Sequence, residues 1–295
     1  MNDALITLEQ RLPSLSKAER RVAESVLARP ALVAESTITH LAELCETSAA
    51  SVARMCRAAG FAGYKEFRIA VAAAHSRDQT TREFFRVDDA EISLNDSIAD
   101  LVSKVAYQET RAIEETARGI NLDALDQVAR AIAAAPRIDI FGAGSSGLTA
   151  QDLQLKLHRI GLPSFCWSDA HLSLTSAALS TPGSVAIGIS HTGATLEANQ
   201  LLDLARSRGA TTVAITNHPN SPLAAEADHV LTTSARESGF RTGAMSSRLA
   251  QMAIVDFLIV LLVQRDFSGT SRHLRRTYDA IQGHRIGGTP ASHHH

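Results

Sequence analysis

The sequence predicts an all-α N-terminal domain followed by an α/β C-terminal domain with a doubly wound parallel sheet. Up to about residue 74 the chain consists of Ala-, Leu-, Glu- and Arg-rich helical segments, interrupted at Pro13, Pro30 and Gly60. From Arg137 onward, short apolar runs alternate with amphipathic segments. That alternation is typical of parallel strands joined by helices. A length of 295 residues suffices for two domains of ordinary size.

The composition indicates a globular protein whose surface is not strongly charged overall. Hydrophobic residues make up 45% of the chain and charged residues 20%, and the formal net charge is -2. Binding to nucleic acid therefore requires a local basic surface. The three cysteines form no CxxC pair, which predicts a reducing, cytoplasmic location without a metal site. The N-terminus does not resemble a signal peptide, and the run "IVDFLIVLLV" is too short to span a membrane and contains Asp256, so no membrane partner is expected.

The stretch 38–59 has the spacing of a helix-turn-helix. A helix over residues 38–45 is followed by a turn at Glu46 and Thr47, and a second helix opens at Ser48, a favourable N-cap. Apolar positions of the second helix fall on one face, and small residues lie near its N-terminus, where such a helix enters a major groove. The candidate DNA-binding residues are Ser48, Ala49, Ala50, Ser51, Arg54, Arg57, Tyr64 and Lys65. A plain helical bundle that mediates oligomerisation is the alternative.

Two quoted segments resemble a known family of regulators. "LSKAERRVAESVLARP" and "LAELCETSAASVARMCRAAGFAGYKEFR" resemble the N-terminal domain of the RpiR family of bacterial transcription regulators. The resemblance covers about the first 75 residues. It implies that residues 48–59 form the recognition helix.

Five apolar runs are the strand candidates of the second domain: "IDIFG", "SFCW", "SVAIGI", "TVAIT" and "HVLTT". We predict that they form one parallel sheet in the order 2-1-3-4-5. Gly161 and Gly209 lie just past two predicted helices, where a left-handed residue is expected. Between the halves, apolar residues at helical spacing after a polar start predict a linker and a connecting helix. The expected boundaries are 1–76 for the DNA-binding domain, 77–120 for the linker and connecting helix, 121–270 for the sheet domain and 271–295 for a tail ending in tag-like histidines.

Two Ser/Thr-rich turns follow the first and third strand candidates. "FGAGSSG" opens a helix and offers Ser145, Ser146 and backbone N–H groups to an anion. "SHTGAT" follows the third strand, which neighbours the first at the switch point of such a sheet. The first turn also matches GxGxxG, so a dinucleotide site is an alternative, although Asp169 is the one acidic residue near the end of the second strand.

The two turns together resemble the SIS (sugar isomerase) domain, whose pocket uses "G.(S/T)S" and "S.(S/T)G.T" turns to hold a sugar phosphate. The segment "ESGFRTGAMSSRLAQMAIVDFL" resembles the entry to the last long helix of that domain in RpiR-type regulators and adds Glu237, Arg241 and Ser247 as candidates. The ligand-binding residues implied by the resemblance are Ser145, Ser146, Ser190, His191, Thr192, Thr195, Glu237 and Arg241.

The pocket favours a sensor over an enzyme. An aldose-ketose isomerase needs a general base beside the substrate, and only His191 and Glu237 are candidates in the matched segments. No orienting carboxylate for His191 is evident, so we expect no catalytic residue and no cofactor. We predict a homodimeric or homotetrameric repressor of a carbohydrate catabolic operon that binds operator DNA and is gated by a phosphorylated sugar or sugar acid. A phosphosugar isomerase or lyase with an accessory helical domain is the alternative.

Overall fold

The computed structural model describes residues 4–237 and 244–282. The chain divides into two compact units. The helical unit comprises Met1–Gly119 and Ser234–Ser246, and the sheet unit comprises Ile120–Thr233 and Ser247–His295. The chain therefore leaves the sheet unit after its last strand, contributes a segment to the helical unit and then returns.

The helical unit is built on apolar faces of short helices. Leu8, Val22, Leu41, Met55 and Phe67 are fully buried in its core. Its helices are α1 (Ala4–Arg11), α2 (Lys17–Ala28), α3 (Ala31–Glu35), α4 (Ile38–Leu44), α5 (Ala49–Ala58), α6 (Tyr64–Phe85) and α7 (Ile98–Gly119), with a 3₁₀ turn at Leu12–Ser14. The all-α prediction for this region is confirmed.

The helix-turn-helix lies where its spacing predicted it. The turn between α4 and α5 contains Glu46 in a left-handed conformation, with φ of 48°. Ser48 caps α5, because its hydroxyl accepts the Ser51 N–H at 3.2 Å. The predicted domain boundary at residue 76 falls inside α6, which continues to Phe85 because no Gly or Pro interrupts it.

The segment after the last strand is attached to the helical unit by two contacts. The Ser234 N–H donates to the Thr116 hydroxyl of α7 at 3.0 Å. The Arg236 guanidinium forms an ion pair with Glu9 of α1 at 2.8 Å. These contacts tie residues 234–236 to two helices of the unit.

The sheet unit contains the predicted five strands, all parallel, in the order β2-β1-β3-β4-β5 within the described residues. The strands are β1 (Ile138–Gly142), β2 (Ser164–Trp167), β3 (Val185–Ile189), β4 (Thr211–Thr216) and β5 (His229–Thr232). Every residue of β1 and β3 is buried, as expected for central parallel strands. The predicted α/β class and strand order are confirmed.

Helices connect and cover these strands. They are α8 (Leu122–Ala134), α9 (Ser145–Arg159), α10 (Ala170–Ala178), α11 (Leu196–Ser207), α12 (Pro222–Ala225), α13 (Ser246–Arg265) and α14 (Phe267–Gln282). Gly161 and Gly209 follow α9 and α11 with φ of 86° and 85°, which confirms the predicted left-handed ends. The predicted tail begins inside α14, whose Leu274 packs against the sheet core.

One described helix, α13, is long and apolar enough to cross a membrane, and half of its most apolar window is buried. Ile254, Val255, Leu258 and Leu262 pack in the core beside the sheet. One apolar face of α13 is therefore buried by packing within the sheet unit.

Candidate functional sites

The two polar turns begin at the same edge of the sheet. β1 and β3 are neighbours in register, and Gly142 pairs with Ile189 at their carboxyl ends. Residues 143–146 and 190–195 follow directly from these strand ends. The structure thus brings together the two turns at the switch point of the sheet, where open α/β folds bind ligands.

The first turn delivers Ser145 and Ser146 to the first turn of α9. Gly144 precedes them with φ of 56°, a conformation that favours glycine. A side chain at Gly142 would place its Cβ 2.5 Å from the Ser146 carbonyl oxygen. Gln251 of α13 fixes the Ser146 hydroxyl by donating to it at 3.2 Å. The turn is therefore close-packed, with the serine hydroxyls at a helix N-terminus.

The second turn places Ser190 beside Thr195. The two hydroxyl oxygens lie 2.8 Å apart, and Ser190 Oγ also accepts the Gly193 N–H at 3.1 Å. Ser190 is 2% exposed. Thr195 occupies the N-cap position of α11, yet its side chain makes no capping hydrogen bond. Its hydroxyl is thus held by Ser190 at the helix N-terminus and is not used as a cap.

The remaining polar groups of the second turn support this arrangement. Thr192 is exposed, and its hydroxyl accepts the Ala194 N–H. The His191 carbonyl accepts the Asn217 N–H. The imidazole ring of His191 lies edge-on to the ring of His218, with the two centroids 5.8 Å apart. Asn199 of α11 donates to the Thr195 carbonyl at 2.7 Å.

Gln251 and Asn199 were missed in the sequence analysis. Gln251 is a polar residue within the apolar run LAQMAIV, and that is the signal that could have found it. Asn199 lies among polar neighbours in α11 and carries no such signal.

This edge of the sheet is suited to an anion. Two helices, α9 and α11, begin there, and neither has a side-chain cap at its N-terminus, where hydroxyl groups and the helix dipole favour negative charge. Asp169, which the dinucleotide alternative needs, accepts the Leu172 N–H and caps α10. Asp169 therefore serves as a helix cap.

The third group of ligand candidates comes from the chain that follows β5. Glu237 belongs to the helical unit, where it lines a cavity of about 630 Å³ together with Arg82, Tyr107 and Arg111. Arg241 lies outside the described residues. Ser247 is buried at the start of α13.

The predicted DNA-binding residues divide into an exposed set and a supporting set. Ser48, Ala50, Arg54, Arg57 and Lys65 are exposed, and Ala49 is half-buried.

Ser51 and Tyr64 differ from the exterior positions expected for DNA contacts. Ser51 is 4% exposed, because it lies on the face that packs into the unit, and its hydroxyl accepts from Arg54 at 2.9 Å. The Tyr64 hydroxyl donates to the Ser36 carbonyl at 2.9 Å and is therefore engaged inside the unit.

Comparisons with known proteins agree on both units. The family model described as "Helix-turn-helix domain, rpiR family" matches residues 2–78, and the model described as "SIS domain" matches residues 131–261. An uncharacterised HTH-type transcriptional regulator of Caldanaerobacter subterraneus is 36% identical over 97% of this chain and 99% of its own length. A second regulator so named, from Haemophilus influenzae, is 32% identical over 92% of this chain and 94% of its own.

Among solved structures, the NanR protein of Vibrio vulnificus complexed with ManNAc-6P is similar over 96% of this chain and 100% of its own. The TM-score is 0.61 and the identity 26%. The sugar isomerase domain of an RpiR transcription factor from Sphaerobacter thermophilus matches 60% of this chain and 98% of its own, with a TM-score of 0.56 and 25% identity.

Proposed function

The chain belongs to the rpiR family of helix-turn-helix transcriptional regulators, and we propose that it is a cytoplasmic repressor of a carbohydrate catabolic operon, released from its operator by a phosphorylated sugar. Its curated relatives are named as regulators, so its family supports a regulator and not an isomerase. The DNA-binding element is α5, and the effector site is the pair of turns at the carboxyl ends of β1 and β3.

One observation carries the effector proposal. The Ser190 and Thr195 hydroxyls lie 2.8 Å apart at the N-terminus of α11, and Thr195 does not cap that helix. The N-terminal turn of a helix that has no side-chain cap and lies beside hydroxyl groups is a favourable site for phosphate oxygens. NanR, which is similar over nearly the whole chain, was solved with ManNAc-6P, and this supports a phosphosugar as the class of ligand.

Calorimetry with a panel of sugar phosphates that includes ManNAc-6P, together with the same sugars lacking phosphate, tests the proposal. We expect at least one phosphorylated sugar to bind and its unphosphorylated form not to bind. Ser190→Ala and Thr195→Val should each weaken binding by about tenfold or more, because a hydrogen bond to a charged oxygen contributes roughly 1.5 to 3 kcal/mol.

Ser207→Ala is the matched control. Ser207 lies at the other end of α11, where its hydroxyl donates to the Leu204 carbonyl. The Ser207→Ala variant should bind the sugar phosphate with the affinity of the wild type. Equal affinities for all four proteins would remove the two turns from the effector site.

The operator proposal implies a homodimer or homotetramer, because helix-turn-helix proteins bind two half-sites of a near-palindrome through paired subunits. Sedimentation at micromolar concentration tests the assembly. A monomer in the presence of operator DNA would contradict it.

A further inference from the structure

The exposed face of α5 offers few hydrogen-bonding side chains. Val52, Met55 and Cys56 are fully buried. Facing outward are alanines and two long polar side chains, Arg54 and Arg57. Alanine can contact a thymine methyl group but cannot donate to a base edge. Hydrogen bonds from the body of this helix to DNA therefore depend on its two arginines.

The two arginines are held differently. Arg54 Nε donates to Glu19 Oε1 at 3.0 Å, and its Nη2 donates to Ser51 Oγ at 2.9 Å. The Arg57 side chain makes no hydrogen bond or ion pair with the described residues, although its backbone carbonyl accepts the Gly60 N–H. Arg54 is thus fixed by two anchors while its side chain stays 52% exposed. A guanidinium has five N–H groups, so three of those on Arg54 remain for another partner.

Glu19 is itself fixed in place. It lies on α2, its side chain is only 14% exposed, and its second oxygen accepts the Ser16 N–H at 3.1 Å. Ser16 and Glu19 form the capping box of α2. Hydrogen bonds from Ser16, with a further contribution from Arg54, lower the pKa of Glu19 and keep it ionised. One carboxylate oxygen therefore caps a helix, and the other orients Arg54.

A carboxylate close to the DNA-binding face has an electrostatic cost. It repels phosphates and lowers the affinity for every sequence alike. An anchored guanidinium loses less side-chain freedom on binding, and its fork geometry matches the O6 and N7 acceptors of guanine. Such a pair favours discrimination between sequences over affinity.

We propose that Glu19 is a positioning residue that holds Arg54 to donate two hydrogen bonds to a guanine in each operator half-site, while the unanchored Arg57 contacts a phosphate. The inference rests on the proposed operator binding by α5. It predicts a base preference that depends on a side chain outside the helix-turn-helix.

Selection of bound duplexes from a random-sequence DNA library, using the full chain, supplies the operator for the test. The selected half-site should contain a guanine whose replacement by adenine lowers wild-type affinity by about 5- to 150-fold. Arg54→Ala should abolish the preference at that position. Glu19→Gln keeps the capping hydrogen bond, because Gln serves in a capping box. It should reduce the guanine preference several-fold and leave affinity for unrelated DNA equal or higher.

Arg57→Ala is the matched control. It should weaken binding to guanine- and adenine-containing sites equally and reduce the slope of log K against log salt by about 1 for each protomer. Thermal unfolding of each variant separates loss of folding from loss of readout.

Two results would overturn the inference. In one, Glu19→Gln discriminates guanine from adenine as the wild type does. In the other, it weakens binding to all sequences equally and lowers the unfolding temperature, which would make Glu19 only a cap. Failure of the wild type to bind any duplex would instead refute operator binding itself.

Discussion

Asp78 on α6 is the centre of a polar cluster in the helical unit. Its carboxylate accepts hydrogen bonds from the Tyr107 hydroxyl at 2.5 Å and from Arg82 Nε at 2.7 Å, and it forms an ion pair with Arg111. Burial opposes the charge of Asp78, but the hydrogen bonds from Tyr107 and Arg82 and the charge of Arg111 outweigh it and hold its pKa below the ordinary value.

The lowered pKa predicts acid sensitivity of this unit. Asp78 contributes stability that is fully present above its unfolded pKa of about 3.9 and is lost as pH falls through its lower folded pKa. The difference in unfolding free energy between the wild type and Asp78→Asn should therefore be largest at neutral pH and shrink below about pH 4. Urea denaturation followed by circular dichroism from pH 2 to 7 measures it. Glu24→Gln on the exposed face of α2 is the control, and a similar profile for both variants would contradict the prediction.

Gly193 shapes the second polar turn through its backbone. Its φ is 64°, and an added Cβ would lie 2.0 Å from the Ser221 hydroxyl oxygen. Gly183 also has a positive φ, of 91°, but the nearest atom to its Cβ would be 3.8 Å away. Both glycines therefore have a backbone conformation that would strain alanine, and they differ in the space available for its Cβ.

This difference predicts unequal costs of alanine. Gly183→Ala should lower the free energy of unfolding by about 1 to 2 kcal/mol, because alanine is strained in the left-handed conformation. Gly193→Ala should lower the free energy of unfolding by roughly 1 to 3 kcal/mol more than that, because its Cβ forces Ser221 to shift. Trp167, the single tryptophan, lies in β2 and reports unfolding of the sheet unit by fluorescence. Equal losses would show that backbone strain alone sets the cost.

At the scale of elements, α13 has an apolar composition but two unequal faces. Leu258 is fully buried, whereas Val260 is 68% exposed. Leu258→Ala should lower the unfolding free energy of the sheet unit by roughly 2 to 5 kcal/mol, through lost burial and the cavity left behind. Val260→Ala should change it by less than about 0.5 kcal/mol. Denaturation followed by Trp167 fluorescence distinguishes the faces, and comparable losses would mean that the exposed face is also packed.

The elements that could be predicted are those that a local sequence pattern specifies. Short, mainly apolar runs indicated β1 and β3, and Gly161 and Gly209 indicated helix ends, because periodicity and turn chemistry act over a few residues. Contacts between distant positions leave no such pattern. The Glu19–Arg54 pair joins residues 35 apart, and Arg236–Glu9 joins residues 227 apart.

The candidate sites show the same limit. The turns at 145–146 and 190–195 were identified from their residues, since hydroxyls after parallel strands are a local signal. The burial of Ser51 was not anticipated, because it depends on which face of α5 the other helices cover. Glu237, named as a ligand residue through the resemblance, belongs to the helical unit, and its role as a sugar contact stays a prediction.

At the scale of the whole molecule, the proposed effector and operator sites lie in different units, so any effect of one on the other is a coupling. We expect a sugar phosphate that binds the sheet unit to weaken operator affinity by a factor of about 5 to 150, which is typical of such couplings. Operator DNA should weaken sugar-phosphate affinity by the same factor. Titrating operator binding with the effector, and effector binding with the operator, measures both. A bound effector that leaves operator affinity unchanged would contradict a ligand-gated regulator.

The segment that follows β5 makes the helical unit discontinuous along the gene. A fragment that ends at residue 119 would omit Ser234 and Arg236, which contact Thr116 and Glu9. A recombination event that exchanged everything after that point would import a foreign version of this segment. Hybrids of such regulators would keep these two contacts only where the imported residues still match α1 and α7, so an exchange at this point also alters the helical unit.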